Sequence, residues 1–201
     1  MWVIEVIFTS ITRISPKNPS GSKNSMQHQD HVRLIREGIG APGGVWADLG
    51  SGSGAFTLAL ADLLGPGSQI YSIDRDRRAL REQAAAMRAN FPGVSVEYLE
   101  ADFTQKLPLP PLDGILMANS LHFVRHKGPV LDLVRSYLRP AGRLLLIEYN
   151  AERGNMWVPY PLAYPTWETL AGQHGFATTR LLTTVPSRFL REIYAALSLA
   201  G

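Results

Sequence analysis

Apolar positions change their period repeatedly along this chain. Val32, Ile35 and Ile39 recur at helical spacing, so residues 27–39 read as an amphipathic helix that the glycines and proline of residues 40–44 stop. Residues 45–49 are a short apolar run broken by Asp48. Phe56, Leu60, Leu63 and Leu64 then share a helix face that ends at Gly65-Pro66-Gly67. Residues 69–73 read as a strand. Leu80, Ala84, Met87 and Phe91 mark the next helix, and residues 94–99 alternate as a strand. A proline loop at 107–112 leads to the buried-strand run 114–118. Pro129 opens a helix through Val130, Leu133, Val134 and Tyr137. Residues 139–142 read as a turn before the most apolar strand, 144–147. Strand and helix alternating this often predict a mostly parallel sheet covered on both faces, and right-handed crossovers make it doubly wound. Past residue 150 the pattern changes. A helix is expected over 166–174, then two strands, 176–185 and 189–199, joined at Pro186-Ser187-Arg188. The last segment also fits a helix through Leu190, Ile193, Tyr194 and Leu197, with the strand favoured.

The chain has 201 residues, 45% hydrophobic and 18% charged, which suits one globular domain and excludes a disordered one. No apolar run approaches the roughly 18 residues of a membrane-spanning helix. With no cysteine, a disulfide framework, a thiolate metal site and a cysteine nucleophile are all excluded. The formal charge of +3 is unevenly placed: residues 1–25 hold Arg13, Lys17 and Lys23 against Glu5, leaving +1 for the rest. Residues 1–25 lack the basic start and small-residue cleavage site of a signal peptide, and Glu5 argues against a transit peptide. They are expected to be a disordered or mis-assigned extension, with residues 26–201 as the working domain. A cytoplasmic location is expected, with neither a nucleic-acid nor a membrane partner.

The chemically loaded segment is Asp48-Leu49-Gly50-Ser51-Gly52-Ser53-Gly54, between the first strand and its helix. In doubly wound sheets ligands bind at the carboxyl ends of strands, where glycines admit close backbone approach and a helix N-terminus offers free N–H groups. Gly50-x-Gly52-x-x-Ala55 meets a loose dinucleotide fingerprint, a weak signal alone. Three acids favour S-adenosylmethionine instead. Asp48 can help hold an ammonium. Asp74, ending the second strand, can accept from both ribose hydroxyls, although NAD would use it equally, and it could instead only cap a helix. Asp102 can accept from an adenine amino group while Phe103 faces the ring. Arg75 could stack on adenine or belong to a solvated arginine-rich helix face.

Taken in order, residues 45–54, Ile73-Asp74, Ala101-Asp102-Phe103, Asn119 and residues 138–143 resemble the class I S-adenosylmethionine-dependent methyltransferases over residues 45 to about 150. The resemblance implies a Rossmann-like α/β fold of three αβα layers. It also implies a seven-stranded sheet in the order 3-2-1-4-5-7-6, its last strand antiparallel. Residues 27–39 would be a helix covering the cofactor pocket. Asp48, Gly50, Gly52, Gly54, Asp74, Arg75, Asp102, Phe103 and Asn119 would hold the cofactor. Transfer from a sulfonium needs alignment above all, and a base only if the acceptor must lose a proton.

The acceptor is less legible. Cytosine C5 chemistry and arsenic methylation lack their cysteines. Asn119-Ser120-Leu121-His122 departs from the Asn-Pro-Pro-Tyr type of motif of adenine methylation. No metal site is expected, because Glu148 beside Asn150 stands alone. A small-molecule acceptor remains. His122 is the candidate base, or only a polar loop residue. Glu148 is a second base candidate or an amine-orienting carboxylate. Tyr149, Trp157, Tyr160 and Tyr164 either line the acceptor site or pack their loop onto the sheet. Two rival readings remain. An NAD-linked oxidoreductase would need a Tyr-x-x-x-Lys pair that the chain lacks, and a non-catalytic cofactor-binding subunit would have a closed acceptor pocket.

Overall fold

The computed structural model describes residues 26–201; the expectations for residues 1–25 lie outside them. Element order is α1 (His28–Ile39), β1 (Val45–Leu49), α2 (Ala55–Leu64), β2 (Gln69–Asp74), α3 (Arg77–Asn90), β3 (Ser95–Glu100) and β4 (Leu112–Ala118). A 3-10 turn (Leu121–Phe123) precedes α4 (Gly128–Tyr137), β5 (Leu138–Tyr149), α5 (Tyr164–Gln173), β6 (Phe176–Pro186) and β7 (Glu192–Ala200). The strands form one sheet in the order β3-β2-β1-β4-β5-β7-β6. Pairings from β3 through β5 are parallel, and β7 runs antiparallel to both β5 and β6. The C-terminal segment is therefore a strand, not a helix. Alternate residues of β7 enter opposite cores, with Tyr194 and Ala196 on one side and Ala195 and Leu197 on the other.

That alternation organises the whole sheet. Leu144 and Leu146 of β5 join Val130, Val134, Trp167 and Ala171 of α4 and α5 on one face. Leu145 and Ile147 join Val32, Ile35, Leu60 and Met87 of α1, α2 and α3 on the other. Period 2 in the strands and 3.6 in the helices bury both faces, which gives three layers. Helix α1 packs on α2 and on the β5–β7 side of the sheet, with His31 edge-on to Phe56 at 4.6 Å between ring centres. Its described contacts place it on the face of the sheet, where the resemblance implied a cover for the cofactor pocket.

Local chemistry explains the boundaries. Asp76 caps α3 by accepting from the N–H groups of Arg78 and Ala79, and Pro129 and Pro165 open α4 and α5. The turn expected at 139–142 is instead part of β5. Leu138 already pairs with Leu112, and pairing resumes at Gly114 with Arg143. The surplus residues bulge outward with Ala141 at φ 59°. In the middle of the sheet Trp46 of β1 pairs with Gly114 of β4, and its ring covers the glycine: a Cβ there would lie 2.3 Å from the indole.

Candidate active site

Leaving β1, the chain turns through Gly50, Gly52 and Gly54, at φ of +79°, +53° and +90°. Gly50 and Ser51 donate their N–H groups to the Ile73 carbonyl at 2.8 and 3.0 Å, which seats the turn on the end of β2. The glycines were expected to admit close approach of a ligand, with a tight turn as the alternative, and the structure separates them. A Cβ on Gly50 would meet Ser120 Cβ at 2.5 Å, and one on Gly54 would meet Gln83 Cγ at 2.3 Å, so both make room for the protein itself. Only at Gly52 would a Cβ meet nothing within 4 Å, so Gly52 borders open space.

Asp74 accepts from the Gly52 N–H at 2.7 Å through Oδ2 and from the Asp76 N–H at 2.8 Å through Oδ1. Asp76 caps α3, so the helix-cap alternative for Asp74 falls away. Each Asp74 oxygen keeps a second lone pair for a hydroxyl. Asp48 is fully buried. Its Oδ2 accepts from Thr57 Oγ1 at 2.6 Å, and its Oδ1 has no partner among the described residues. Burial is the main cause that raises its pKa to about 7, against the Thr57 hydrogen bond, which lowers it, and with a smaller push upward from Asp74.

Asp102 is already engaged. Its Oδ1 accepts from the N–H and hydroxyl of Thr104 at 2.9 and 2.7 Å, and its Oδ2 pairs with the Arg75 guanidinium. Partial burial opposes ionisation, yet Thr104 and Arg75 outweigh it and hold the carboxyl below its ordinary value. Arg75 thus positions Asp102. The Phe103 ring lies over the glycine turn, its Cε1 only 3.2 Å from where a Cβ of Gly50 would be.

At the neighbouring strand ends Asn119 adopts φ 53°, outside the region preferred by side-chain-bearing residues, and its buried Oδ1 has no partner among the described residues. The chain then folds back. Ser120 Oγ donates to the Leu49 carbonyl at 2.8 Å, and the 3-10 turn buries His122 against Glu148. Glu148, 0% exposed, accepts from His122 Nδ1 at 2.9 Å, from the His122 N–H at 3.0 Å and from the Tyr149 N–H at 3.2 Å. A carboxylate only accepts, so Nδ1 is the donor and a neutral ring keeps its lone pair on Nε2, which has no hydrogen-bond partner among the described residues. Phe123 and Tyr149 flank the imidazole at 4.2 and 5.4 Å between ring centres. Burial first, and Glu148 second, push the Tyr149 hydroxyl up to about 12.

The aromatic segment divides between packed and exposed side chains. Tyr149 is buried beside His122. Tyr164 packs edge-on to Tyr194 and donates to Glu168 at 3.1 Å, so it supports α5. Trp157 and Tyr160 stand exposed, although the Tyr160 N–H donates to the His122 carbonyl at 3.0 Å. A cavity of about 560 Å³ opens near this edge, lined by Asn150, Glu152, Ala163, Pro165, Arg191 and Glu192.

Gln83 and Thr57 were not among the residues expected from sequence. Gln83 is 0% exposed and accepts from Ser72 Oγ at 2.9 Å and from Ser51 Oγ at 3.4 Å, tying α3 to the glycine turn. Its Nε2 has no partner among the described residues. The signal was present: Gln83 lies three residues after Leu80 and four before Met87, a polar residue on a buried helix face. Among the described residues no cluster of three or more His, Asp or Glu could hold a metal ion.

Residues 42–171 match the family described as "Methyltransferase domain". The ubiquinone/menaquinone biosynthesis C-methyltransferase of Burkholderia mallei is 30% identical over 128 residues, 63% of this chain and 50% of that protein. The chain thus spans about half the length of the curated relatives it matches. A SAM-dependent methyltransferase from Aquifex aeolicus superposes with a TM-score of 0.66 at 20% identity, over 86% of this chain and 90% of that one. The CurJ carbon methyltransferase superposes with a TM-score of 0.64 at 19% identity, over 83% of this chain and 51% of that one.

Proposed function

The chain belongs to the methyltransferase-domain family, and from that premise we propose that it methylates a carbon atom of a small molecule, with S-adenosylmethionine as donor and His122 as the base. The observation that carries the reading is the buried His122–Glu148 pair at the carboxyl edge of β4 and β5. The residues present suit the cofactor. The unpartnered Asp48 Oδ1 and Asn119 Oδ1 can accept from its ammonium end, and Asp74 from its ribose. Asp102 and Phe103 can meet its adenine, and the open space beside Gly52 can admit it. When bound, the cofactor supplies an activated methyl group.

A carbon acceptor must be nucleophilic, and an acidic C–H becomes so by losing its proton. His122 Nε2 has a free lone pair to take that proton. Glu148 fixes the ring orientation and compensates the charge that the imidazole gains, which is the physical content of a base held by a carboxylate. Two relatives described as carbon methyltransferases support the choice of carbon. The test has two stages. Isothermal titration should show binding of S-adenosylhomocysteine and none of NAD; binding of NAD alone would refute the reading. A screen of metabolite extracts with methyl-labelled cofactor should then yield a product labelled on carbon.

A further inference from the structure

Seven large hydrophobic side chains stand exposed among the described residues, and five of them, Phe123, Met156, Trp157, Tyr160 and Phe189, lie on three segments drawn together by hydrogen bonds. The Tyr160 N–H donates to the His122 carbonyl at 3.0 Å, and Lys127 Nζ donates to the Tyr160 carbonyl at 2.9 Å. Asn155 Nδ2 donates to the Phe189 carbonyl at 3.2 Å, which ties the β6–β7 turn to the same surface. Met156 is 82% exposed and Phe123 59%. Single exposed hydrophobics need no explanation; a cluster of this kind marks an interaction surface.

Basic groups outnumber acids around it, with Glu152 and Glu192 lining a cavity together with Arg191. Residues 123–127, 153–160 and 186–191 carry Arg125, Lys127, Arg153, Arg188 and Arg191 and no acid. None of the four arginines joins an ion pair among the described residues. The nearest carboxylates in sequence each accept from a neutral donor, Glu152 from Thr166 at 2.8 Å and Glu192 from Asn150 at 2.5 Å, and neither forms an ion pair with these arginines. Residues 26–201 carry a net +1, so apart from these five bases the rest is −4, and the positive excess is local.

We propose that this surface docks the chain onto an anionic lipid bilayer. Trp and Tyr suit the boundary between headgroups and acyl chains because one end of each ring system is apolar and the other polar, while Phe and Met add apolar depth. The unpaired arginines meet lipid phosphates, since basic groups are attracted to an anionic surface within a Debye length of it. A second copy of the chain is a poorer occupant, because a twofold contact would bring the arginines against their own equivalents. The expectation of no membrane partner rested on the lack of a spanning run, and a surface-docked protein needs none. The inference stands independently of which atom is methylated.

Cosedimentation of the full chain with phosphatidylcholine vesicles, with and without phosphatidylglycerol, tests it. Binding should require phosphatidylglycerol and weaken as salt is raised. Met156→Ser with Phe189→Ser, and separately Arg153→Glu with Arg188→Glu, should each reduce partitioning by about tenfold or more at an unchanged thermal midpoint. Arg125→Glu, on a different segment, should act in the same direction and guards against misfolding of either pair. Four outcomes would overturn the proposal. They are no vesicle binding by the parent chain, parent-like binding by all the variants, loss of a concentration-dependent dimer in those variants, or tighter binding of single-stranded RNA through the same residues.

Discussion

The N–H of Gly52 donates to Oδ2 of Asp74 at 2.7 Å, so the end of the second strand holds the glycine turn in place through a carboxylate. One side chain thereby has two jobs: it shapes the turn and keeps a lone pair for a ligand. Asp74→Ala is expected to weaken S-adenosylhomocysteine binding by about 1–3 kcal/mol, from the lost charge-assisted bonds. Asp74→Asn, which still accepts from Gly52, should lose less. Titration calorimetry on the two variants checks the order, and equal affinity of Asp74→Ala and parent would remove Asp74 from the site.

Two residues further on, Asp76 accepts from Arg78 and Ala79 at 2.8 and 3.2 Å and has only the helix to serve. Asp76→Ala should cost roughly 1 kcal/mol of stability while leaving cofactor affinity unchanged. Denaturant unfolding paired with calorimetry distinguishes the two acids.

Asp48 and His31 should give opposite slopes to stability against pH. The Asp48 pKa is raised from 3.8 to about 7 chiefly by burial, so the folded state holds a proton that the unfolded chain releases, and stability falls between about pH 4 and 7. The His31 pKa is lowered from 6.5 to about 4, first by burial, then by His28 and against Asp30. There the unfolded chain holds the extra proton, and stability rises over about pH 4 to 6.5. The parent should show a shallow profile over this window. Asp48→Asn should slope upward with pH and His31→Gln downward. Denaturant midpoints at intervals of pH measure all three; parallel profiles would exclude both assignments.

If His122 is the base, His122→Ala should lower the methyl-transfer rate by about 10²–10⁴-fold with cofactor affinity retained. Glu148→Gln keeps one acceptor oxygen, enough for the His122 or the Tyr149 N–H but not both, and gives up the charge behind the imidazole. It should lower the rate, with smaller loss of stability than Glu148→Ala, which would leave the His122 and Tyr149 N–H groups unpaired at about 1–3 kcal/mol each. Single-turnover rates on the labelled acceptor, with melting curves, test this.

Gly114→Ala should destabilise the domain by about 1–3 kcal/mol, because the new Cβ would lie 2.3 Å from the Trp46 ring in the centre of the sheet. Thermal unfolding measures it, and a neutral result would mean that the ring has room to move.

The alternation of periods along the chain determined the elements, and with right-handed crossovers the doubly wound parallel part of the sheet, because periods of 2 and 3.6 state which side chains must be buried. The glycine turn and the acids at 48, 74 and 102 were legible for the same reason: each sits at a strand end, and strand ends are local features. Residues 139–142 were misread because a proline and a glycine in a bulge look the same as in a turn. What each site residue touches was decided only in three dimensions. Asp102 lies 27 residues from Arg75 in sequence, and Glu148 lies 26 from His122. Only the pairing of β4 with β5 and of β2 with β3 closes those distances. The roles of Gln83 and Ser120 depended on clashes that a Cβ at Gly54 or Gly50 would create. The exposed aromatic surface required three segments, about thirty residues apart from one to the next, to meet. Local spacing specifies which face a side chain occupies; its neighbour across the fold depends on packing, which no spacing in a single chain records.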